Sequence, residues 1–100
     1  MKKTENSANG TSFHGVTITT SIEKLTKVLG EPSYIGDYED KVTVEWVCEL
    51  EDGSIVTVYD WKEYRKISEF ENIEFHIGGM SKMKTFDAQS YLVIKTEELC

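Results

Sequence analysis

Cysteine, histidine and proline are scarce: the 100-residue chain holds two cysteines, two histidines and one proline. Cys48 lies inside a strand-like stretch and Cys100 is the last residue, a separation that fits neither a zinc motif nor a disulfide framework. Both thiols are therefore expected to be reduced, as in a cytoplasm. His14 and His76 lack the one-turn spacing or companion cysteines of a metal site, so neither metal nor cofactor is expected. No serine sits in a Gly-x-Ser-x-Gly elbow, and Cys48 should face the core as a small hydrophobe. A carboxylate pair such as Glu45 and Asp60 has the chemistry of an acid and a base, yet acids on the outer face of a strand are ordinarily just solvated. With no nucleophile, metal or committed acid–base pair, the chain is not expected to be an enzyme.

Long apolar runs are missing too. The most apolar stretch, residues 91–94, is far short of the roughly 20 residues that cross a bilayer. No apolar run follows the N-terminal lysines, so neither a membrane partner nor a secretion signal is expected. A basic excess is also absent: 18 acidic against 11 basic residues give a net charge of −7, which repels duplex nucleic acid. The acids are scattered among lysines, unlike the blocks a mimic of DNA requires. A small anion is not excluded, because a pocket needs only two or three cations and some backbone N–H groups to hold it.

What is present suffices for one core. Hydrophobic residues make up 39% of the chain and aromatics 11%, a globular composition at the length of one domain. A domain of this size buries about two-thirds of its unfolded surface, so association with further copies is expected to help it. Residues 1–12 are polar and read as a flexible N-terminal arm, leaving residues 13–100 as a single α+β ligand-binding domain.

Residues 13–19 read as a strand interrupted by Gly15. Thr20 with Glu23 reads as a capping box for a helix whose Ile22, Leu25, Val28 and Leu29 share one face. Gly30 ends it and Pro32 prevents its return. After a polar loop over 34–41, residues 42–50 alternate, with Val44, Trp46, Cys48 and Leu50 on one face. Asp52-Gly53 suits a two-residue turn, and 55–61 returns as the second strand, with Trp46 expected opposite Tyr59 and Val44 opposite Trp61. On the other face Val47 falls opposite Val58 and Glu45 opposite Asp60, where Lys62, Arg65 or Lys66 could balance the two acids. Residues 73–77 read as a further strand ending at Gly78-Gly79. Ser81 then caps a second helix with Met83, Phe86, Ser90 and Val93 on its apolar stripe, broadened by Leu92 and Ile94. Residues 91–96 also suit a strand, being β-branched at Val93, Ile94 and Thr96; the stripe starting at Met83 favours the helix. The fold expected is a small antiparallel sheet built on a central β-hairpin, with two helices packed on it.

Two segments carry binding chemistry. Tyr59-Asp60-Trp61-Lys62-Glu63-Tyr64-Arg65 sets three rings and two cations at a strand end, the groups that stack a base and neutralise its phosphate. Equally, Tyr59 and Trp61 fit the core face of Trp46, leaving Lys62 and Arg65 as plain surface. His76-Ile77-Gly78-Gly79, before a helix start, offers an imidazole and exposed N–H groups to an anion, although glycine pairs also end strands for steric reasons.

Taken in order, Gly30-Glu31-Pro32, Glu45-Trp46, Glu51-Asp52-Gly53, Tyr59-Asp60-Trp61-Lys62 and His76-Ile77-Gly78-Gly79 resemble a family of small phage proteins. These are the viral sponges of the anti-CBASS and anti-Thoeris type, which sequester cyclic-nucleotide immune signals. The resemblance covers residues 13–79. It implies a non-catalytic protein of the host cytoplasm that holds a cyclic dinucleotide such as 3′3′-cGAMP away from a bacterial anti-phage effector. It further implies a homotetramer with pockets between subunits. The bases would stack on Tyr34, Trp61 and Tyr64, and the phosphates would meet Lys62, Arg65, His76, Gly78 and Gly79. The alternative is an acidic phage interaction module that inhibits a host enzyme by docking on it.

Overall fold

The computed structural model describes residues 1–99; Cys100, expected to be a free thiol, lies outside the described residues. The architecture is α+β. Its elements are β1 (Lys2–Lys3), β2 (Ser12–Thr20), α1 (Ile22–Leu29), β3 (Tyr34–Ile35), β4 (Val44–Glu49), β5 (Ile55–Tyr59), β6 (Ile73–Gly79) and α2 (Lys82–Glu97). All pairings are antiparallel, in the order β1-β4-β5-β6-β2, with β3 on β4 as well.

The first residues join the sheet instead of forming an arm. Lys2 pairs with Glu49 and Lys3 with Cys48, and the Thr4 N–H continues the ladder to the Val47 carbonyl at 3.0 Å. Tyr34 and Ile35 pair with Glu45 and Val44, so β1 and β3 lie end to end along one side of β4. Two short strands, one of them all lysine, thus close an edge that would otherwise be open to pairing. At the opposite edge β2 carries a register shift between Phe13 and Thr17, with Gly15 at φ +87°. There the Gln89 side chain donates to the Thr17 carbonyl at 2.7 Å.

The central hairpin forms where the alternation placed it, but one residue out of the expected register. Its loop has three residues: Leu50 N–H donates to Ser54 and Gly53 N–H to Leu50, each at 2.9 Å. Gly53 takes the left-handed φ of +86°, and Asp52 accepts from Ser54 N–H at 2.9 Å. Trp46 therefore pairs with Val58, Cys48 with Val56, Glu45 with Tyr59 and Val47 with Thr57. A slip of one residue sends every side chain of a strand to the other face. Val56 and Val58 are buried in the core beside Trp46, whose edge meets Phe75 at 6.2 Å and 74°. Tyr59 leaves that face.

The helix after β2 starts one residue later than the capping box suggests. Ser21 is the cap, accepting from Lys24 N–H at 3.2 Å. Thr20 is instead the last residue of β2, opposite Ile73, and its buried hydroxyl has no partner among the described residues. Leu25 and Leu29 enter the core. Gly30 closes the helix at φ +90°, and its carbonyl accepts from the Trp46 indole at 2.9 Å, which ties α1 to β4.

Residues 91–96 are helical, as part of α2, and Ser81 caps it by accepting from Lys84 N–H at 3.3 Å. Its buried face matches the expected one only at Leu92, while Ile94 is exposed. Thr85, Ala88, Leu92 and Thr96 are buried, whereas Met83, Phe86, Ser90 and Val93 are exposed. The two buried hydroxyls are satisfied within the helix, Thr85 by the Lys82 carbonyl at 2.6 Å and Thr96 by that of Leu92 at 2.7 Å, so they pack as small apolar groups. Both helices contribute to one core with the same face of the sheet. The other face carries no helix.

Candidate ligand-binding face

Register decides what the open face presents. Residues paired across antiparallel strands share a face, so Tyr34, Glu45, Tyr59, His76 and Thr17 form one row across five strands. Val47, Thr57, Gly78 and Phe13 form the neighbouring row. His76 is stacked on Phe13 at 4.0 Å between ring centroids and 11° between planes. Trp61 also lies against it, at 5.9 Å and 24°. Tyr59 stands edge-on to both, 5.6 Å from His76 and 6.2 Å from Trp61. Phe13 and Trp61 keep 43% and 39% of their surface exposed, so the ends of the group reach solvent.

The cations lie at the Trp61 end. Lys62 Nζ sits 5.6 Å and Lys41 Nζ 6.0 Å from its ring centroid, within cation–π range. The backbone folds back to put them there. Lys62 and Tyr64 adopt left-handed φ values of 56° and 51°, conformations that cost about 1 to 3 kcal/mol for non-glycine residues and concentrate at functional sites. Lys62 N–H is held by the Lys41 carbonyl at 2.7 Å. Asp60 anchors the turn from beneath. Fully buried, it accepts from the N–H groups of Thr43 at 2.8 Å and Val44 at 3.0 Å, and from the Thr43 hydroxyl. The expected opposition of Glu45 and Asp60 does not occur, and Asp60 needs no lysine or arginine because neutral donors surround it.

A notch of about 240 Å³ opens beside the rings, lined among others by Glu45, Thr57, Tyr59, Trp61 and Gly78. Glycine is required on its floor, since a Cβ at Gly78 would stand 2.5 Å from the Thr57 hydroxyl. Ala8 and Thr11, from the segment expected to be an arm, wall one side. Larger hollows of about 420 Å³ beside α1 and 560 Å³ beside β1 hold no stacked rings. Burial pushes the Glu45 carboxyl above its ordinary value, and no hydrogen bond or ion pair reaches it among the described residues. Burial, and then the Glu45 charge, raises the Tyr59 phenol. Burial also lowers the His76 imidazole, against a smaller opposing pull from Glu74. Burial thus disfavours charge on the His76 ring, and the cations near the stack, Lys41 and Lys62, lie at its Trp61 end.

Of the residues singled out in the sequence, Trp61, Lys62, His76 and Gly78 come together here. Tyr34 shares the His76 row but lies on β3, its hydroxyl donating to Asp40 at 3.3 Å; the Asp40 carboxylate chiefly raises its phenol. Tyr64 is exposed and has no ring neighbour among the described residues. Arg65 is committed elsewhere: its guanidinium grips both oxygens of Glu71, at 2.9 and 2.5 Å, and reaches Glu63 at 3.4 Å. That pairing raises Arg65 and lowers Glu71.

The glycine pair is not an anion cradle, because Gly78 and Gly79 lie inside β6 with strands on both sides. Gly79 faces the helices, where a Cβ would come within 2.8 Å of Thr85 Cγ2. Phe13, Glu45 and Lys41 were missed as site residues, and Tyr59, one of the three rings of the candidate segment, reads equally as core in the sequence. Glu45 and Tyr59 reach the site through the β4–β5 register, which spacing alone left one residue wrong, Phe13 through its pairing with Gly78 on β6, and Lys41 from a loop. Among the described residues no group of three or more His, Cys, Asp or Glu could hold a metal ion, and no helix is long and apolar enough to cross a membrane. Comparison with protein-family models, curated proteins and solved structures finds no match to this chain.

Proposed function

We propose that the protein binds a cyclic dinucleotide, of which 3′3′-cGAMP is the type, and withholds it from a bacterial anti-phage effector without altering it. One observation carries this reading: a Phe13–His76–Trp61 stack on the uncovered face of the sheet, with Lys41 and Lys62 at its rim. A base needs a flat apolar surface, worth roughly 1 to 3 kcal/mol per stacked ring, and its phosphate needs cations nearby. The notch is smaller than the roughly 300 to 1,000 Å³ that encloses a drug-sized ligand. It suits one base, with the remainder of the ligand held across a second copy in the homotetramer that the family resemblance implies. Such a sponge works in the host cytoplasm, where the signal is made.

Calorimetry and thermal shift across cyclic di- and trinucleotides and cyclic ADP-ribose isomers test the proposal. A ligand that binds tightly and returns intact after heat denaturation is the expected result. Trp61→Ala and Lys62→Ala should each weaken binding by about tenfold or more, by loss of one stack or one charge-assisted contact, and leave the melting temperature near that of the wild type. Arg65→Ala should spare binding, because its charge is already balanced by Glu71. New products on chromatography would make the protein an enzyme, and no response across the panel would remove the proposal.

A further inference from the structure

Helix α2 (Lys82–Glu97) presents an apolar face on both of its sides. Its inner side is buried through Thr85, Ala88, Leu92 and Thr96. On its outer side Met83, Phe86, Val93 and Ile94 are 71%, 47%, 38% and 56% exposed. Met83, Phe86, Ser90 and Val93 recur at alternating intervals of three and four residues, the spacing of a helix-pairing seam. Isolated apolar residues on a surface mean little, but a contiguous row marks an interaction site.

Charge indicates what covers it. Residues 82–98 hold three lysines (82, 84 and 95) and three acids (87, 97 and 98), so the remainder of the chain carries the whole net charge of −7. A second copy can meet this face without net repulsion, whereas an anionic bilayer would face the acidic body behind it. The order of charges is also self-complementary. Lys84 is paired with Asp52, and Lys95 with Glu98. Lys82 and Glu97, at opposite ends of the stripe, have no ion pair among the described residues.

We propose that α2 forms a homodimer by packing antiparallel against α2 of a second copy, with the twofold axis between Gln89 and Ser90. In that register each Phe86 meets Val93 of the second copy and each Lys82 faces Glu97 of the second copy. The small Ser90 at the centre lets the helices approach closely. A helix of 16 residues is about 24 Å long, and its face buries on the order of 500 Å² per copy, at the lower limit of specific interfaces. The dimer therefore dissociates in the micromolar range. It leaves the aromatic face of each sheet uncovered, so it stands apart from the ligand proposal.

Sedimentation velocity on the full chain, over roughly a hundredfold range of concentration spanning the micromolar region, tests the interface. Without ligand, and so without the second contact across the ligand face that completes the tetramer, the wild type should shift from monomer to dimer. Val93→Glu should stay monomeric, with a thermal melt equal to that of the wild type at concentrations where the wild type is monomeric. Lys82→Glu should weaken the dimer about tenfold by setting two acids face to face, and adding Glu97→Lys should restore it. The two positions are 15 residues apart, about 22 Å along one helix, so rescue cannot arise within a single chain. A wild type that stays monomeric throughout, a dimer indifferent to Val93→Glu, or a charge swap without rescue would each overturn the proposal. Binding to phosphatidylcholine vesicles without self-association would overturn it too, by making the stripe a membrane face.

Discussion

His76 shows how much one residue's environment sets its chemistry. Stacked on Phe13 and Trp61 and edge-on to Tyr59, its ring is shielded enough for burial to lower its pKa, with Glu74 as the opposing charge. The unfolded imidazole titrates near 6.5, so between that value and the lower folded one the unfolded chain binds more protons. Stability from this site is therefore complete above about pH 6.5 and is lost as pH falls through that window. Urea midpoints from pH 7.5 down to 5 should decline more steeply for the wild type than for His76→Phe, which keeps the stack and removes the proton. Equal slopes would mean that the ring is solvated and the stack loose.

At the scale of elements, the positions of strands and helices were legible in the sequence, while their faces were read less well. Alternation over Val44–Glu49, the Gly30 stop and the Ser81 cap all lie where the pattern put them. The hairpin register was not legible, because Asp52-Gly53 serves a two-residue turn and a three-residue loop with left-handed Gly53 equally well. Apart from Leu92, the large apolar residues suggested the wrong side of α2. Periodicity follows size and hydropathy, whereas the buried side was selected by close approach to the sheet. Gly79 makes that approach possible, since an added Cβ would stand 2.8 Å from Thr85 Cγ2. Gly79→Ala should lower the melting temperature by several degrees, corresponding to about 1 to 3 kcal/mol of overpacking. Thr85→Ser deletes the opposing methyl and keeps the hydroxyl bond to Lys82, so combining the two should recover much of the loss. Two penalties that simply add would show that the helix does not rest on this glycine.

For the whole molecule, a single-sided core limits stability. Both helices cover one face of the sheet and the other is left without a helix among the described residues, so a chain of this length is expected near the marginal end for globular domains. Cys48 is fully buried on the covered face, paired on one side with Val56 and on the other with Lys3 of the edge strand, and burial pushes its thiol up to about 12. A thiol so placed reacts only when the sheet opens, because the thiolate is the reactive form. In a Cys100→Ser background, alkylation of Cys48 at mildly alkaline pH should therefore follow global unfolding and accelerate with urea along the same curve as loss of ellipticity. A ligand that binds only the folded state, present at a hundred times its dissociation constant, should slow labelling about a hundredfold. Rapid labelling of the native protein, unaffected by ligand, would show that β1 peels from β4 independently of the rest of the sheet. The edge built from the first residues would then be a separate, weaker unit rather than part of the cooperative fold.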